Sequence, residues 1–201
     1  MTALPGSSPT IAGVSTTENR RTTGILLLVT GVLGLLASAM LTIDKIKILE
    51  DPNFVPGCSL DPTISCGSVM QSWQGSVFGF PNPLIGIASF SVVIVAGVLT
   101  LGGVALPRWF WTGLAIGSAA GLALVIFLIY SSLFVIHALC LWCMLVWTIM
   151  PIVLATAVAA ALGERATQQV KQLLAALVLL WYIVVLTLIA VQFWDYWSSK
   201  F

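Results

Sequence analysis

WFWTGLAIGSAAGLALVIFLIYSSLFVIHALCLWCMLVWTIMPIVLATAVAAALG, residues 109–163, runs for 55 positions without Asp, Glu, Lys or Arg. As one helix it would be about 80 Å long against a hydrocarbon core of about 30 Å, so the run must fold back on itself. Ser131-Ser132, near its middle and beside Tyr130, marks the expected turn. This gives apolar spans at 109–130 and 134–160, the second interrupted by Pro151, where a kink is expected. Inside the second span lies Cys140-Leu141-Trp142-Cys143, two thiols three positions apart and on one side of any helix they share, the spacing of a vicinal redox pair.

Three more apolar runs lie outside this stretch. Residues 22–43 are closed by Asp44, Lys45 and Lys47; residues 80–104 open on Pro81-Asn82-Pro83-Leu84; residues 173–193 precede Trp194, Tyr196 and Trp197, which read as an interfacial aromatic belt. Hydrophobic residues make up 59% of the chain and charged residues 7%, with a mean hydropathy of +1.08. A soluble domain carries about 25% charge. The chain therefore reads as an all-α integral membrane protein of five spans, without room for a second globular domain. A net charge of +1 with no basic stripe points away from nucleic acid as a partner.

Residues 1–21 are polar and rich in Pro, Gly, Ser and Thr and are expected to be a disordered tail, with residues 22–201 forming one membrane domain. Arg20-Arg21 precede an apolar run, but no small-residue cleavage site follows, so a cleaved signal is not expected. Between the first two spans, residues 44–78 contain Pro52, Pro56, Gly57, Pro62 and Gly67 and read as an extramembrane loop with a short helix over Ser68–Trp73. Arg20, Arg21, Arg108, Arg165 and Lys171 share one side of a five-span topology, against Lys45, Lys47 and Lys200 on the other. The positive-inside bias makes the N-terminus cytoplasmic and places the loop and C-terminus outside.

The loop holds the other two cysteines, Cys58 and Cys66. Four cysteines allow three pairings, and the loop pair by itself is readable as a structural staple. A four-thiolate zinc site is disfavoured because its charge would lie toward lipid, and no metal is expected. Span counting brings both pairs to one membrane surface, which favours thiol–disulfide exchange between them. One loop cysteine must meet an external dithiol and one must reach Cys140; a Cys140–Cys58 adduct is the favoured intermediate.

Cys143 lies about 4.5 Å deeper than Cys140 along a helix and is better placed to face a lipid-soluble acceptor. A quinone, taking two electrons and two protons, matches one dithiol. Asn82 and the indole N–H of Trp147 are its candidate hydrogen-bond donors, against competing roles as a helix cap and as packing. His137, three residues before Cys140, should share its helical face and assist proton movement, or else serve structure alone.

These residues together resemble the vitamin K epoxide reductase family, particularly its bacterial quinone-linked disulfide-forming members. Cys58 and Cys66 match the loop cysteines, Cys140-Leu141-Trp142-Cys143 the membrane redox motif, and Asn82 in Pro81-Asn82-Pro83-Leu84-Ile85-Gly86 the quinone-contacting asparagine, over about residues 24–160. The resemblance implies a four-helix bundle around the quinone, a covering loop and a fifth helix at its side. It implies that Cys143 faces the quinone, that Cys140 exchanges with a loop cysteine, and that the loop pair takes electrons from a thioredoxin-like or DsbA-like partner outside a bacterial inner membrane. Relatives often carry that partner fused after the last helix; with this chain ending at Phe201, a separate partner is expected. Vertebrate members have tyrosine four residues after the second redox cysteine, where this chain has Trp147, so menaquinone or ubiquinone is preferred to the vitamin K epoxide. The alternatives are a reductase of vitamin K quinone or its epoxide, and a non-enzymatic scaffold or transporter with a structural loop disulfide.

Overall fold

A computed structural model describes residues 11–198. In chain order it contains α1 (Ile11–Glu50), α2 (Cys66–Gln71), a 3₁₀ turn at Trp73–Ser76, α3 (Pro83–Leu101), α4 (Arg108–Tyr130), a π turn at Ser131–Ile136, α5 (Leu141–Leu162), α6 (Gln168–Gln192) and the short α7 (Trp194–Ser198). Five helices, α1 and α3–α6, are long and apolar enough to cross a membrane.

Two expectations need correction. The polar segment expected to be disordered through Arg21 is helical from Ile11; residues 1–10 lie outside the described residues. No proline interrupts Ile11–Glu50, and once an apolar span has nucleated a helix, each added residue extends it at little cost. The second correction concerns the turn. Ser131 and Ser132 do not reverse the chain: Ser131 Oγ donates back to the Phe127 carbonyl at 2.9 Å and the winding of α4 continues as a π turn, while Ser132 Oγ donates forward to the carbonyl of Ala138 and holds the segment beyond that turn. The chain reverses instead at His137, a non-glycine residue in the left-handed region (φ 54°, ψ 39°), and α5 starts at Leu141 rather than at 134.

The buried face of α1 is a seam of Leu27, Thr30, Gly34, Ala37, Leu41, Asp44 and Ile48, alternating spacings of three and four residues. Along it α1 packs most closely on α3. A Cβ on Gly97 would stand 2.7 Å from the backbone nitrogen of Leu28, so only glycine permits that approach, as small residues do between membrane helices generally. Helix α5 packs on both α1 and α4, completing a four-helix arrangement in which α3 and α4 scarcely touch. That missing contact leaves a space between them.

The fifth span, α6, lies against α5, and Pro151 explains its anchor. Proline lacks the N–H that would bond the Trp147 carbonyl four residues earlier. The indole N–H of Trp181 on α6 donates to that carbonyl instead, at 3.0 Å, and Tyr182 Oη donates to the Thr148 carbonyl at 2.7 Å. Trp181→Phe is expected to leave a backbone acceptor unpaired and to lower stability by about 1–3 kcal/mol, read as a fall in the thermal midpoint of detergent-solubilised protein.

At one end of the bundle Lys171 Nζ reaches Asn19 Oδ1 at 3.2 Å, joining the start of α6 to α1. At the other, Tyr196 Oη of α7 donates to Asp61 Oδ2 at 2.6 Å, joining the C-terminal helix to the cysteine-bearing loop. The loop and α7 thus share one end.

Candidate functional site: two cysteine pairs between two cavities

The loop is built around its own hydrogen bonds. Asp61 Oδ1 accepts from the N–H groups of Thr63 and Ile64 at 2.9 and 2.8 Å, turning the chain between the two loop cysteines. A single parallel bridge then joins Ile64 to Leu139: Leu139 N–H donates to the Thr63 carbonyl at 2.7 Å, and Ser65 N–H to the Leu139 carbonyl at 2.9 Å. This bridge sets Cys66 beside the segment that leads into Cys140. Ser65 Oγ caps α2 by accepting from Ser68 N–H, so Cys66 is the first residue of that helix, and Lys45 Nζ ties α2 to α1 through the Met70 carbonyl at 2.6 Å.

Cys58 and Cys66 form a disulfide, one of the pairings open from sequence, while Cys140 and Cys143 are free thiols. All four belong to one packed group with Leu41, Val69 and Ala138. Cys140 is the N-cap of α5: its backbone is extended, and its Sγ accepts from Cys143 N–H at 3.4 Å. Hydrogen bonding from the Cys143 thiol, and then from the backbone N–H groups of Cys143 and Trp142, holds the Cys140 thiol below its ordinary value; burial and the charge of Asp44 oppose this. A sulfur at a helix N-terminus is well placed to carry negative charge as attacking or leaving thiolate.

Two cavities flank the sulfurs. The larger, about 450 Å³, fills the space between α3 and α4 and is bounded by α1 and α5. Its lining is overwhelmingly apolar, and it contains Asn82, Ser132, Cys143 and Trp147 at the loop end, continuing past Gly121 and Gly117 of α4 to Trp109 and Phe110 at the opposite end. The smaller, about 400 Å³, lies on the other side, lined by Met40, Asp44, Gly57, Cys58, Leu141, Trp142 and Leu145. Cys143 therefore faces one cavity and Cys58 the other. Cys66 and Cys140, each 0% exposed, lie between.

A family model for the vitamin K epoxide reductase family matches residues 25–158. The chain belongs to that family. Its members are oxidoreductases with a quinone as electron partner, working as quinone-linked disulfide oxidoreductases or vitamin K reductases. Comparison with curated proteins finds no match. The matched span contains both cysteine pairs, Asn82 and Trp147, and reaches into the last turns of α5.

Asn82 is not the helix cap that its position suggested. It precedes α3 without a capping bond; its Oδ1 accepts from Val77 N–H at 3.0 Å and its Nδ2 donates to the Gln74 carbonyl at 2.7 Å. A backbone donor on one side and a backbone acceptor on the other leave only one amide orientation, and among the described residues the second Nδ2 hydrogen has no partner. Trp147 is 3% exposed and lines the same cavity. Among the described residues its indole N–H has no acceptor, although no buried side-chain nitrogen or oxygen is wholly enclosed without a partner, so this donor opens onto the cavity.

His137 does not join the site. Residues 137–140 leave the helix, so the expected shared face with Cys140 never forms; the imidazole is exposed and lines neither cavity. Three residues were missed from sequence. Trp181 lay in an apolar run with nothing to link it to Pro151, and Leu139 is one leucine among many. Asp44 read as the polar end of span one, yet it follows Leu41 by three residues and precedes Ile48 by four, and that spacing would have placed it on the buried seam.

Proposed function

We propose that the protein is a quinone-linked thiol oxidase that makes disulfides in an extracytoplasmic thioredoxin-like partner. The observation that carries this reading is the order of the sulfurs, from Cys58 at one cavity, through the buried Cys66 and Cys140, to Cys143 at the other. A partner thiolate attacks Cys58, the sulfur of the loop disulfide that lines a cavity, and Cys66 leaves as thiol. The partner's second thiolate closes the partner's own disulfide and releases Cys58 as thiol. Cys66 attacks Cys140 of the membrane pair in its disulfide form and displaces Cys143, and Cys58 then closes back on Cys66 and releases Cys140. This order, with Cys66 meeting Cys140, replaces the Cys140–Cys58 adduct favoured from sequence, because Cys58 is the more accessible loop sulfur and the Ile64–Leu139 bridge brings Cys66 to Cys140.

The reduced Cys140/Cys143 pair gives two electrons to a quinone in the larger cavity, whose volume lies within the usual range for ligand sites. Bound there, a quinone supplies a two-electron, two-proton sink. Asn82 and Trp147 each offer it an N–H, Cys143 holds the adjacent thiol, and the apolar slot down α4 suits an isoprenoid tail. The basic residues at the end opposite the loop support a cytoplasmic N-terminus, with the loop and α7 outside a bacterial inner membrane. Menaquinone or ubiquinone fits a site with indole rather than phenol at residue 147 better than the vitamin K epoxide does.

Purified protein, held anaerobically with ubiquinone-1 and a reduced thioredoxin-like dithiol protein, should form one quinol per dithiol consumed. A scaffold or transporter gives no quinol, and epoxide-dependent turnover without net dithiol-to-quinone stoichiometry supports the reductase reading.

A further inference from the structure

The electron path uses the four cysteines, but it does not account for Asp44. This carboxylate is 7% exposed on the seam of α1, between Leu41 and Ile48, and lines the smaller cavity together with Cys58 and Trp142. Among the described residues no hydrogen bond or ion pair holds it. Its two lysine neighbours are engaged elsewhere, Lys45 on the Met70 carbonyl and Lys47 over the ring of Phe54 at 5.3 Å. Yet among the described residues no buried side-chain oxygen is wholly enclosed without a partner, so the carboxylate opens onto the cavity it lines. Taking an unpaired carboxylate out of water is costly, and such groups concentrate where a proton must be handled.

The titratable groups around it are sulfurs. Cys58 of the loop lines the same cavity, and Leu41 and Ile48, on either side of Asp44 along α1, pack in one group with Cys58, Cys66 and Cys140, against which Cys143 also packs; α3 carries no titratable side chain, and Glu50 and Asp51 lie one to two turns further along. The charge of Asp44 is felt at Cys140. It thus shares a cavity with the thiol that must lose a proton in the exchange, and its charge reaches the sulfur that must gain one.

We infer that Asp44 is the proton carrier of the exchange between the loop and membrane pairs, taking the Cys58 proton and delivering it to Cys140. The step starts from the Cys66–Cys140 mixed disulfide. The Cys58 sulfur attacks Cys66, the Cys58–Cys66 bond forms, the Cys66–Cys140 bond breaks, and its electron pair goes to Cys140. The proton passes from Cys58 to the Asp44 carboxylate and on to the Cys140 sulfur, directly or through one water, so the step needs no outside reactant. The negative charge left on Asp44 disfavours a lasting Cys140 thiolate and favours this second transfer. The inference rests on the relay proposed above.

The test is single-turnover oxidation of the fully reduced protein by excess ubiquinone-1 under anaerobic conditions. Wild-type protein should reduce two equivalents in two phases, the first oxidising Cys140/Cys143 and the second limited by electron transfer from Cys58/Cys66. Asp44→Asn should leave the first phase unchanged, which also reports an intact bundle, and slow the second about 30-fold near pH 6.5. The deficit should shrink as pH rises, because solvent then removes the thiol proton, and Asp44→Glu should recover the second phase to within about threefold of wild type. A second phase in Asp44→Asn as fast as wild type, a slowing that is the same at every pH, or loss of both phases in this variant overturns the assignment. Failure of the wild-type protein to reduce a second equivalent instead overturns the relay itself.

Discussion

Cys143→Ala should reduce quinone turnover to background, a loss of at least about 10³-fold, while leaving the quinone bound. Cys143 is the thiol that lines the larger cavity, and Cys140, fully buried behind it, has no other route to a ligand there. Without Cys143 no membrane disulfide can form, and two electrons have no two-sulfur donor. The binding determinants are elsewhere, in the Asn82 and Trp147 N–H groups and the apolar wall, so quinone affinity should change by less than about threefold. Pairing steady-state quinol formation with equilibrium quinone binding separates the two effects. The loop cysteines behave differently: Cys58→Ala with Cys66→Ala should keep one equivalent of quinone reduction by the prereduced membrane pair and lose all turnover with a protein dithiol. Unchanged turnover in Cys143→Ala removes the membrane pair from the pathway.

The second large effect is expected at Asn82. Its side chain does two things at once, fastening the 3₁₀ turn through Val77 N–H and the Gln74 carbonyl and offering its remaining N–H to the cavity. Asn82→Leu removes both backbone partners and the ligand donor. Leaving polar backbone groups unpaired beside an apolar cavity costs about 1–3 kcal/mol each, and the loop end of the cavity loses its lid. We expect kcat/KM for quinone to fall about 100-fold, equivalent to about 2.7 kcal/mol, with the larger share in KM. Because the loop is also held by the Ile64–Leu139 bridge and by Lys45, the disulfide should persist. Faster limited proteolysis within residues 72–82 would accompany the kinetic loss; a kinetic loss without it assigns the effect to the ligand contact alone.

Sequence and structure agree where the signal is strong and local. The 55-residue uncharged run compelled a reversal, and five spans follow from length and hydropathy alone. Two serines look like a turn, yet in an apolar span a serine hydroxyl can bond the carbonyl four residues back, as Ser131 does, and the helical winding continues past it to Ile136. For the site, spacing and span counting placed the two cysteine pairs at one end of the bundle and Cys143 deeper than Cys140. Helical periodicity failed at His137 because it presumes a helix, and the left-handed residue there is what breaks it. The role of Asn82 in fastening the loop was invisible, since its partners are backbone groups five and eight residues away whose positions depend on the fold. Trp181 and Pro151 meet only through tertiary packing, 30 positions apart in the chain, although the acceptor that proline leaves free was itself predictable. Asp44 was legible as a break in an otherwise apolar seam, had the spacing been followed past the end of the hydropathic run.

The electron path is tested most directly by cross-linking in two paired variants. In Cys58→Ala/Cys143→Ala only Cys66 and Cys140 remain; in Cys66→Ala/Cys143→Ala only Cys58 and Cys140 remain. After mild oxidation in membranes, peptide mapping should find the Cys66–Cys140 disulfide in most molecules of the first variant and the Cys58–Cys140 disulfide in few of the second. Absence of the first cross-link, or equal formation of both, contradicts a path that runs from Cys58 through Cys66 and Cys140 to Cys143.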